Sequence, residues 1–325
     1  MLRIATLNVW FDDKLRMPRS KALIEVIKRM GVHVCCLQEV VPEVASVLAS
    51  GLPSWSCSDP GDGSTVAPYG VMVLAAPGKD VRFSFHELPT EMCRQLLLAE
   101  LDGLVVGTVH LESLANHPTR EAQLRVCEAL LAPFDDALLV GDFNFDSDRN
   151  FVPPHTPLEN EALAEILPRY VDLWPALRSE RGKTFDSSLN PYISRSEHMR
   201  YDRIMTCLSN WAARQIEIFG HEPVDHLVEL SPGEKACAER PSTPPRPSSK
   251  KIRRSLHEID SWDLDGDDEP SFSLPLAEPS HASGSHFGNA RERTPSPLRS
   301  KFFLSDHFGL VATLEPCSCR DLGAA

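Results

Sequence analysis

Ser305-Asp306-His307-Phe308-Gly309-Leu310-Val311-Ala312-Thr313-Leu314 sets a carboxylate and an imidazole at the mouth of an apolar run. Two other places repeat that arrangement. Val34-Cys35-Cys36-Leu37 leads into Gln38-Glu39, and Ala137-Leu138-Leu139-Val140 leads into Gly141-Asp142-Phe143-Asn144. Apolar runs of this length, bounded by turn-type residues, read as strands buried on both faces. The polar clusters therefore fall where buried strands meet loops. A carboxylate, a carboxamide and an imidazole gathered on one sheet rim suit metal-assisted hydrolysis.

Working outward, Ile4-Leu7, Val32-Leu37, Tyr69-Leu74, Gln95-Leu101 and Leu104-His110 also read as strands, as do Tyr201-Met205 and Ala212-Phe219. The stretches 95–101 and 104–110 form a hairpin pattern around Asp102-Gly103. Ser20 to Met30 places Ala22, Leu23, Val26, Ile27 and Met30 on one helical face. Thr119 to Leu131 does the same, with Thr119 as the expected cap. The sum is an α+β fold, two mixed sheets packed face to face with helices outside.

The composition then changes. Residues 231–300 hold 10 of the 27 prolines, 10 basic and 11 acidic residues, and almost no apolar periodicity. Such a segment cannot bury enough surface to offset its ordering entropy, so a disordered insert is expected. The expected organisation is a first catalytic part at 1–230, the insert at 231–300, a last strand with its motif at 301–316, and a flexible tail at 317–325. The insert carries a basic run, Lys250-Lys251-Ile252-Arg253-Arg254, readable as a nuclear signal or as a linker charge cluster. Its Thr243-Pro244, Thr294-Pro295 and Ser296-Pro297 suit a proline-directed kinase.

The chain has 325 residues, 42% of them hydrophobic and 24% charged, enough for a sizeable core. No apolar stretch reaches the roughly 18 residues of a membrane span. The N-terminus runs straight into a strand, without a signal-like region. Nine cysteines without framework spacing fit a reduced compartment. An intracellular monomer is expected, nuclear or cytoplasmic. The net charge of -13 argues against non-specific grip on long nucleic acid, though not against capture of a strand end.

Phosphodiester hydrolysis needs a metal, a base to orient water, and donors for the non-bridging oxygens. Glu39 is the natural ligand for a hard cation, with Asn8 holding Glu39 or the ion's water shell. Asp142 and Asn144 are expected to point the same way on an extended segment. His307 needs a carboxylate to orient it, and Asp202 is the candidate; His110 is a second phosphate-directed donor. Singly, Glu39 reads as a solvated acid, Asn8 and Gly-Asp-x-Asn as turns, and a strand histidine as a satisfied core residue. Their joint occurrence at successive strand ends reverses those readings.

Together these motifs resemble the endonuclease/exonuclease/phosphatase superfamily, over residues 3–220 and 302–314. Within it they are most similar to the tyrosyl-DNA phosphodiesterases, through Leu37-Gln38-Glu39-Val40, Met92-Cys93-Arg94-Gln95-Leu96-Leu97, His110-Leu111-Glu112-Ser113, Thr184-Phe185-Asp186 and Ser305-Asp306-His307-Phe308-Gly309-Leu310. The resemblance implies a four-layer αββα sandwich with its site at one edge of the sheets. It implies Mg2+, or Mn2+ in its place, served by Glu39 and Asn8 with Asp306 beside them. Asp142 would activate water, Asn144 and His110 would hold phosphate, and Asp202 would support His307. Phe185, Ser113 and Arg94 would face substrate, with Phe185 standing where the family has a tryptophan platform. The implied reaction is hydrolysis of a 5'-phosphotyrosyl bond at a DNA end, leaving a 5'-phosphate, as in repair of topoisomerase adducts. Where the family often has Leu-Arg after the motif asparagine, this chain has Phe145-Asp146, an anion in place of a phosphate-facing cation. Another nuclease or phosphatase of the superfamily, acting on abasic DNA, RNA tails, phosphoinositides or sphingomyelin, is the alternative reading; a catalytically dead scaffold is the third.

Overall fold

The computed structural model describes residues 1–150, 158–238 and 301–317. The chain begins β1 (Leu2–Asn8), α1 (Arg16–Arg29), β2 (Val34–Val40), α2 (Pro42–Gly51), β3 (Ser56–Cys57), β4 (Gly70–Ala75) and β5 (Arg82–Glu87). It continues with β6 (Gln95–Leu101), β7 (Leu104–His110), α3 (His117–Leu131), β8 (Ala137–Asp142), α4 (Glu159–Ile166), β9 (Val171–Asp172) and α5 (Leu173–Leu177). Last come β10 (Phe185–Asp186), β11 (His198–Met199), β12 (Asp202–Cys207), β13 (Trp211–Phe219), α6 (Pro232–Ala238) and β14 (Gly309–Pro316).

Two six-stranded mixed sheets result, ordered β13-β14-β1-β2-β4-β3 and β5-β6-β7-β8-β12-β9. Period-two alternation along the central strands gives each one face to the other sheet and one to helices. On β1, Leu2 and Ile4 join the cluster between the sheets, whereas Ala5 and Leu7 join the cluster beneath α1 and α2. On β8, Leu138 and Val140 face the other sheet, while Ala137 and Leu139 pack under α3 and α4. Every layer is thus sealed by apolar side chains, which is the expected αββα sandwich. No helix among the described residues is long and apolar enough to cross a membrane.

Register places the polar strand ends. β7 runs parallel to β8 with His110 opposite Asp142, and β12 runs antiparallel to β8 with Asp202 opposite Asp142. Three polar residues therefore stand abreast on one sheet. On the other sheet, Asn8 ends β1 opposite Gln38 of β2. Gln38 is buried, and its Nε2 donates to Thr6 Oγ1 of β1 at 3.0 Å and to Thr108 Oγ1 of β7 at 2.9 Å. One amide thus joins the two sheets directly below their polar rim.

Some local expectations shift. α1 starts at Arg16 rather than Ser20, taking Arg19 and Ser20 inside as buried residues. α3 starts at His117, so Thr119 lies in its first turn, and Pro118 is at a position that needs no amide proton. The hairpin turn at Asp102-Gly103 is as expected, both residues having positive φ (51° and 76°). The insert was expected to open at 231, but residues 232–238 form α6, and Cys237 packs against the cluster under α1. The rest of the expected insert and the tail from 318 lie outside the described residues.

Candidate active site

Asp142 is the hub of the rim. Its Oδ2 accepts from Asn8 Nδ2 at 3.0 Å and lies 3.5 Å from His110 Nε2 and 3.8 Å from His307 Nε2. Its Oδ1 accepts from the Asn144 amide N at 2.9 Å. Burial opposes the charge, but His307, His110 and Asn8 prevail and hold the carboxyl below its ordinary value. Gly141 makes this approach of strands feasible. At its φ of 134°, a Cβ would sit 2.0 Å from the Val109 carbonyl oxygen, so glycine is required.

The two imidazoles are electrically different. Arg94 donates to His110 Nδ1 at 2.8 Å, and arginine has donors only, so that nitrogen accepts and the proton sits on Nε2. Burial and the Arg94 guanidinium hold His110 well below its ordinary value; it is neutral. His307 Nδ1 instead meets Asp202 Oδ2 at 2.8 Å. Burial works against charging this ring, but Asp202, Asp142 and Asp306 overcome it and raise His307 well above its ordinary value. His307 is an imidazolium.

Glu39 lies across from them, in a left-handed residue (φ 57°) where the β2–β4 ladder slips. Its Oε2 accepts from Phe11 N at 3.0 Å, and its Oε1 is 3.9 Å from His110 Nε2. Burial and the Asp306 carboxylate push Glu39 up to about 7, against hydrogen bonds from Phe11 N and the Asn8 side chain. Two carboxylates repelling each other out of water suit a divalent cation, whose charge would relieve both. Asp142, Asp202 and His307 also bring one ligand atom each within 4.8 Å of one another. That trio fits a cation less well, because the His307 ring is already charged and its Nδ1 is engaged by Asp202.

The remaining expected residues are near this centre, with changes. Asn144 is not on an extended segment: φ is 56°, and its Nδ2 donates to the Leu111 carbonyl at 2.9 Å. The strand has ended at Asp142, and this turn swings the amide toward the β7 end. Ser113 Oγ accepts from Arg94 at 2.8 Å, and the guanidinium lies 5.4 Å over the Tyr69 ring. Phe185 packs edge-on to His307 with ring centroids 4.9 Å apart, half-buried at the rim. Asp146, the anion expected where the family has a cation, is engaged locally. Its carboxylate accepts from the Arg200 amide N at 2.9 Å and the Asp148 amide N at 3.3 Å, tying down its own loop.

Several further residues support the rim, and two of them, Arg19 and Asn190, have no local sequence signal. Arg19, 3% exposed, donates to the carbonyls of Val9, Trp10, Asp12, Lys14 and Leu304, fixing the loop after Asn8 to the segment before Ser305. Asn190 Nδ2 donates to the carbonyls of Ser305 and Asp306 at 2.8 and 3.0 Å. Thr184 O accepts from Phe308 N at 2.7 Å, while its Oγ1 accepts from Tyr201 N and Asp202 N. Glu112 accepts from Thr90, Glu91 N and Gln123, bracing the loop beneath Arg94.

Residues 5–307 match the sequence model of the Endonuclease/Exonuclease/phosphatase family. Among curated protein sequences, none matches the chain. Solved structures share its fold. TDP2 from D. rerio, crystallised with a single-strand DNA product, is 18% identical at a TM-score of 0.63, over 97% of this chain and 98% of that one. A truncated Caenorhabditis elegans TDP2 is 17% identical at 0.60, over 97% of each. A mannosyl-6-phosphatase from Bacteroides thetaiotaomicron is 12% identical at 0.56, over 97% and 100%.

Proposed function

This chain belongs to the endonuclease/exonuclease/phosphatase family, and from that premise we propose that it is a Mg2+-dependent phosphodiesterase cleaving 5'-phosphotyrosyl bonds at DNA ends. The observation that carries the reading is the pair of imidazoles around Asp142, one neutral through Arg94 and one charged through Asp202. A phosphodiester in flight gathers negative charge on its equatorial oxygens, and donors fixed in advance stabilise that charge best. His307 offers a full positive charge and His110 an Nε2 proton on the same side of Asp142. Asn144 uses one amide proton on Leu111, leaving the second for a phosphate oxygen.

Asp142, kept ionised at neutral pH, orients the attacking water and accepts its proton. Glu39, with Asn8 and Asp306 beside it, would hold the divalent ion, which neutralises phosphoryl charge when bound. The leaving tyrosyl oxygen ionises near pH 10, so it departs with little help from a general acid. Arg94, buried over Tyr69, supplies positive charge on that flank. The TDP2 structure with a DNA product supports a strand end as substrate, with Phe185 as the stacking surface at the rim.

The test is an oligonucleotide bearing a 5'-phosphotyrosine. Mg2+-dependent release of tyrosine with a 5'-phosphate left on the DNA is expected, lost in EDTA and in Glu39→Gln. Intact phosphotyrosyl DNA alongside hydrolysis of a sugar phosphate would move the protein to the phosphomonoesterase side of its family.

A further inference from the structure

After Asp142 the chain makes a turn in which Asn144 sends its amide to the β7 end while both its neighbours go inward. Phe143 and Phe145 are wholly buried in the cluster under α3 and α4, their rings edge-on with centroids 6.1 Å apart. Into that apolar cluster β12 sends a charge. Successive residues of a strand point to opposite faces, so Asp202 reaches the site and Arg203 reaches the helix side, where it is fully buried. Its guanidinium carbon lies 4.7 Å from the centre of the Phe145 ring and 5.9 Å from that of Phe143. Nη2 donates to the Phe145 carbonyl at 3.3 Å. Nη1 donates to Asn160 Oδ1 of α4 at 2.6 Å and to Asp172 Oδ2 at 3.0 Å.

The turn is therefore gripped from both sides, by Asp142 and Leu111 at the rim and by Arg203 beneath. Asp146 adds a third point through the Arg200 amide N, and the Arg200 side chain shares Asp172 with Arg203. Phe145 and Asp146, the two residues standing where the family often has Leu-Arg, are both anchors. Asn144 sits at a φ of 56°, a left-handed conformation that persists where its surroundings over-determine it. A buried ion pair is by itself no stability device, since apolar side chains of the same volume often serve as well. What a guanidinium adds is direction, because its flat face and fixed fork engage rings and a carbonyl at once.

We propose that Arg203 is a positioning residue: clasped by Phe143 and Phe145, it aims the Asn144 amide at the scissile phosphate without touching substrate. What that amide does there rests on the phosphodiesterase reading above; how it is held does not.

Arg203→Met in the full chain tests this. Asp172 keeps both bonds to Arg200, so no buried carboxylate is stranded, and a thioether packs well against aromatic rings. Turnover of 5'-phosphotyrosyl DNA is expected to fall about 10^2-fold, the scale of a misplacement of about 1 Å. A double-mutant cycle separates aim from bulk stability. Its second member is Asn144→Gly, which removes the amide at a φ that glycine accepts. If Arg203 acts through Asn144, the double variant is little slower than Asn144→Gly alone. Losses that multiply, or unchanged turnover in folded Arg203→Met, would overturn the proposal. Should Arg203→Met not fold, Phe145→Leu, which removes the ring and keeps the ion pair, goes through the same cycle. Hydrogen exchange at the Asn144 amide N, bonded to Asp142 Oδ1, reads the turn without catalysis. In the Arg203 variant it is expected to quicken about tenfold relative to the amides of β8. If the wild type releases no tyrosine, the phosphodiesterase reading falls and exchange alone decides the positioning, an unchanged rate overturning it.

Discussion

Asp142 meets two histidines of the same residue type whose protons differ because their outer nitrogens have different partners, a guanidinium for His110 and a carboxylate for His307. Replacing Asp202 with Asn should therefore cost His307 its charge and orientation together. Turnover of a phosphotyrosyl ester is expected to fall roughly 10^2–10^4-fold with little change in KM; a loss confined to KM would remove His307 from the transition state. Glu39 answers to a different measurement. At saturating Mg2+, about a hundred times its Kd, the bound ion should stabilise the wild type by about 2.7 kcal/mol. Glu39→Gln should lose that thermal shift, and an undiminished shift would place the ion elsewhere. Gly141→Ala drives a Cβ into the Val109 carbonyl at a φ no alanine favours; a cost of about 3 kcal/mol is expected in urea unfolding. At this scale Asp142, Asp202, His110, His307, Glu39 and Asn8 were legible in the sequence, since each ends or opens a buried strand. Arg19, Asn190 and the Arg94–His110 bond were not. Their partners lie up to 285 positions away in the chain, and no local pattern encodes that.

Among the elements, the loop after β1 depends most on one side chain. Its carbonyls converge on Arg19, buried in the first turns of α1, and the same loop supplies the Phe11 amide to Glu39. Arg19→Lys keeps the charge but has no planar fork to serve several carbonyls at once. It should destabilise the fold by about 2–4 kcal/mol and lower metal-dependent turnover; an unchanged thermal midpoint would show that the fork is dispensable. Long strands and the two amphipathic helices were readable because their burial imposes a period. The short elements β3, β9, β10 and β11 each span two residues and have no period to read. α5 is similarly hidden, since its start is set by Asp172 accepting from the Trp174 amide N, a cap that reads in sequence as an ordinary acid.

The whole molecule is closed by its last strand. β14 lies between β13 and β1, pairing Leu314 with Leu2 and Leu310 with Ile218, so the first sheet is complete only when residues after 300 have joined it. The two chain segments flanking the expected insert meet nearby, where Val224 N donates to Phe302 O at 2.8 Å. Because α6 packs on the core, the segment to replace is 239–300 rather than one beginning at 231. A Gly/Ser linker of about 12 residues, with a reach of roughly 20 Å, should leave the unfolding midpoint and the turnover of phosphotyrosyl DNA near wild type. A chain stopped at 300 should lack both, as it loses β14 and His307 together.

Gln38 gives this architecture a further consequence. One sheet and the segment leading into its last strand carry Asn8, Glu39, Asp306 and His307, the other carries His110, Asp142 and Asp202; Asn8 reaches Asp142 across the seam at the rim, and the buried Gln38 amide spans it one layer below. Catalysis is thus a gauge of alignment: a slip between the sheets too small to expose the core would still pull the two halves of the site out of step. Swapping Gln38 for the similarly sized Met should leave much of the fold's cooperativity while activity fades at milder denaturant than the core unfolds. The enzyme would then go silent before it comes apart.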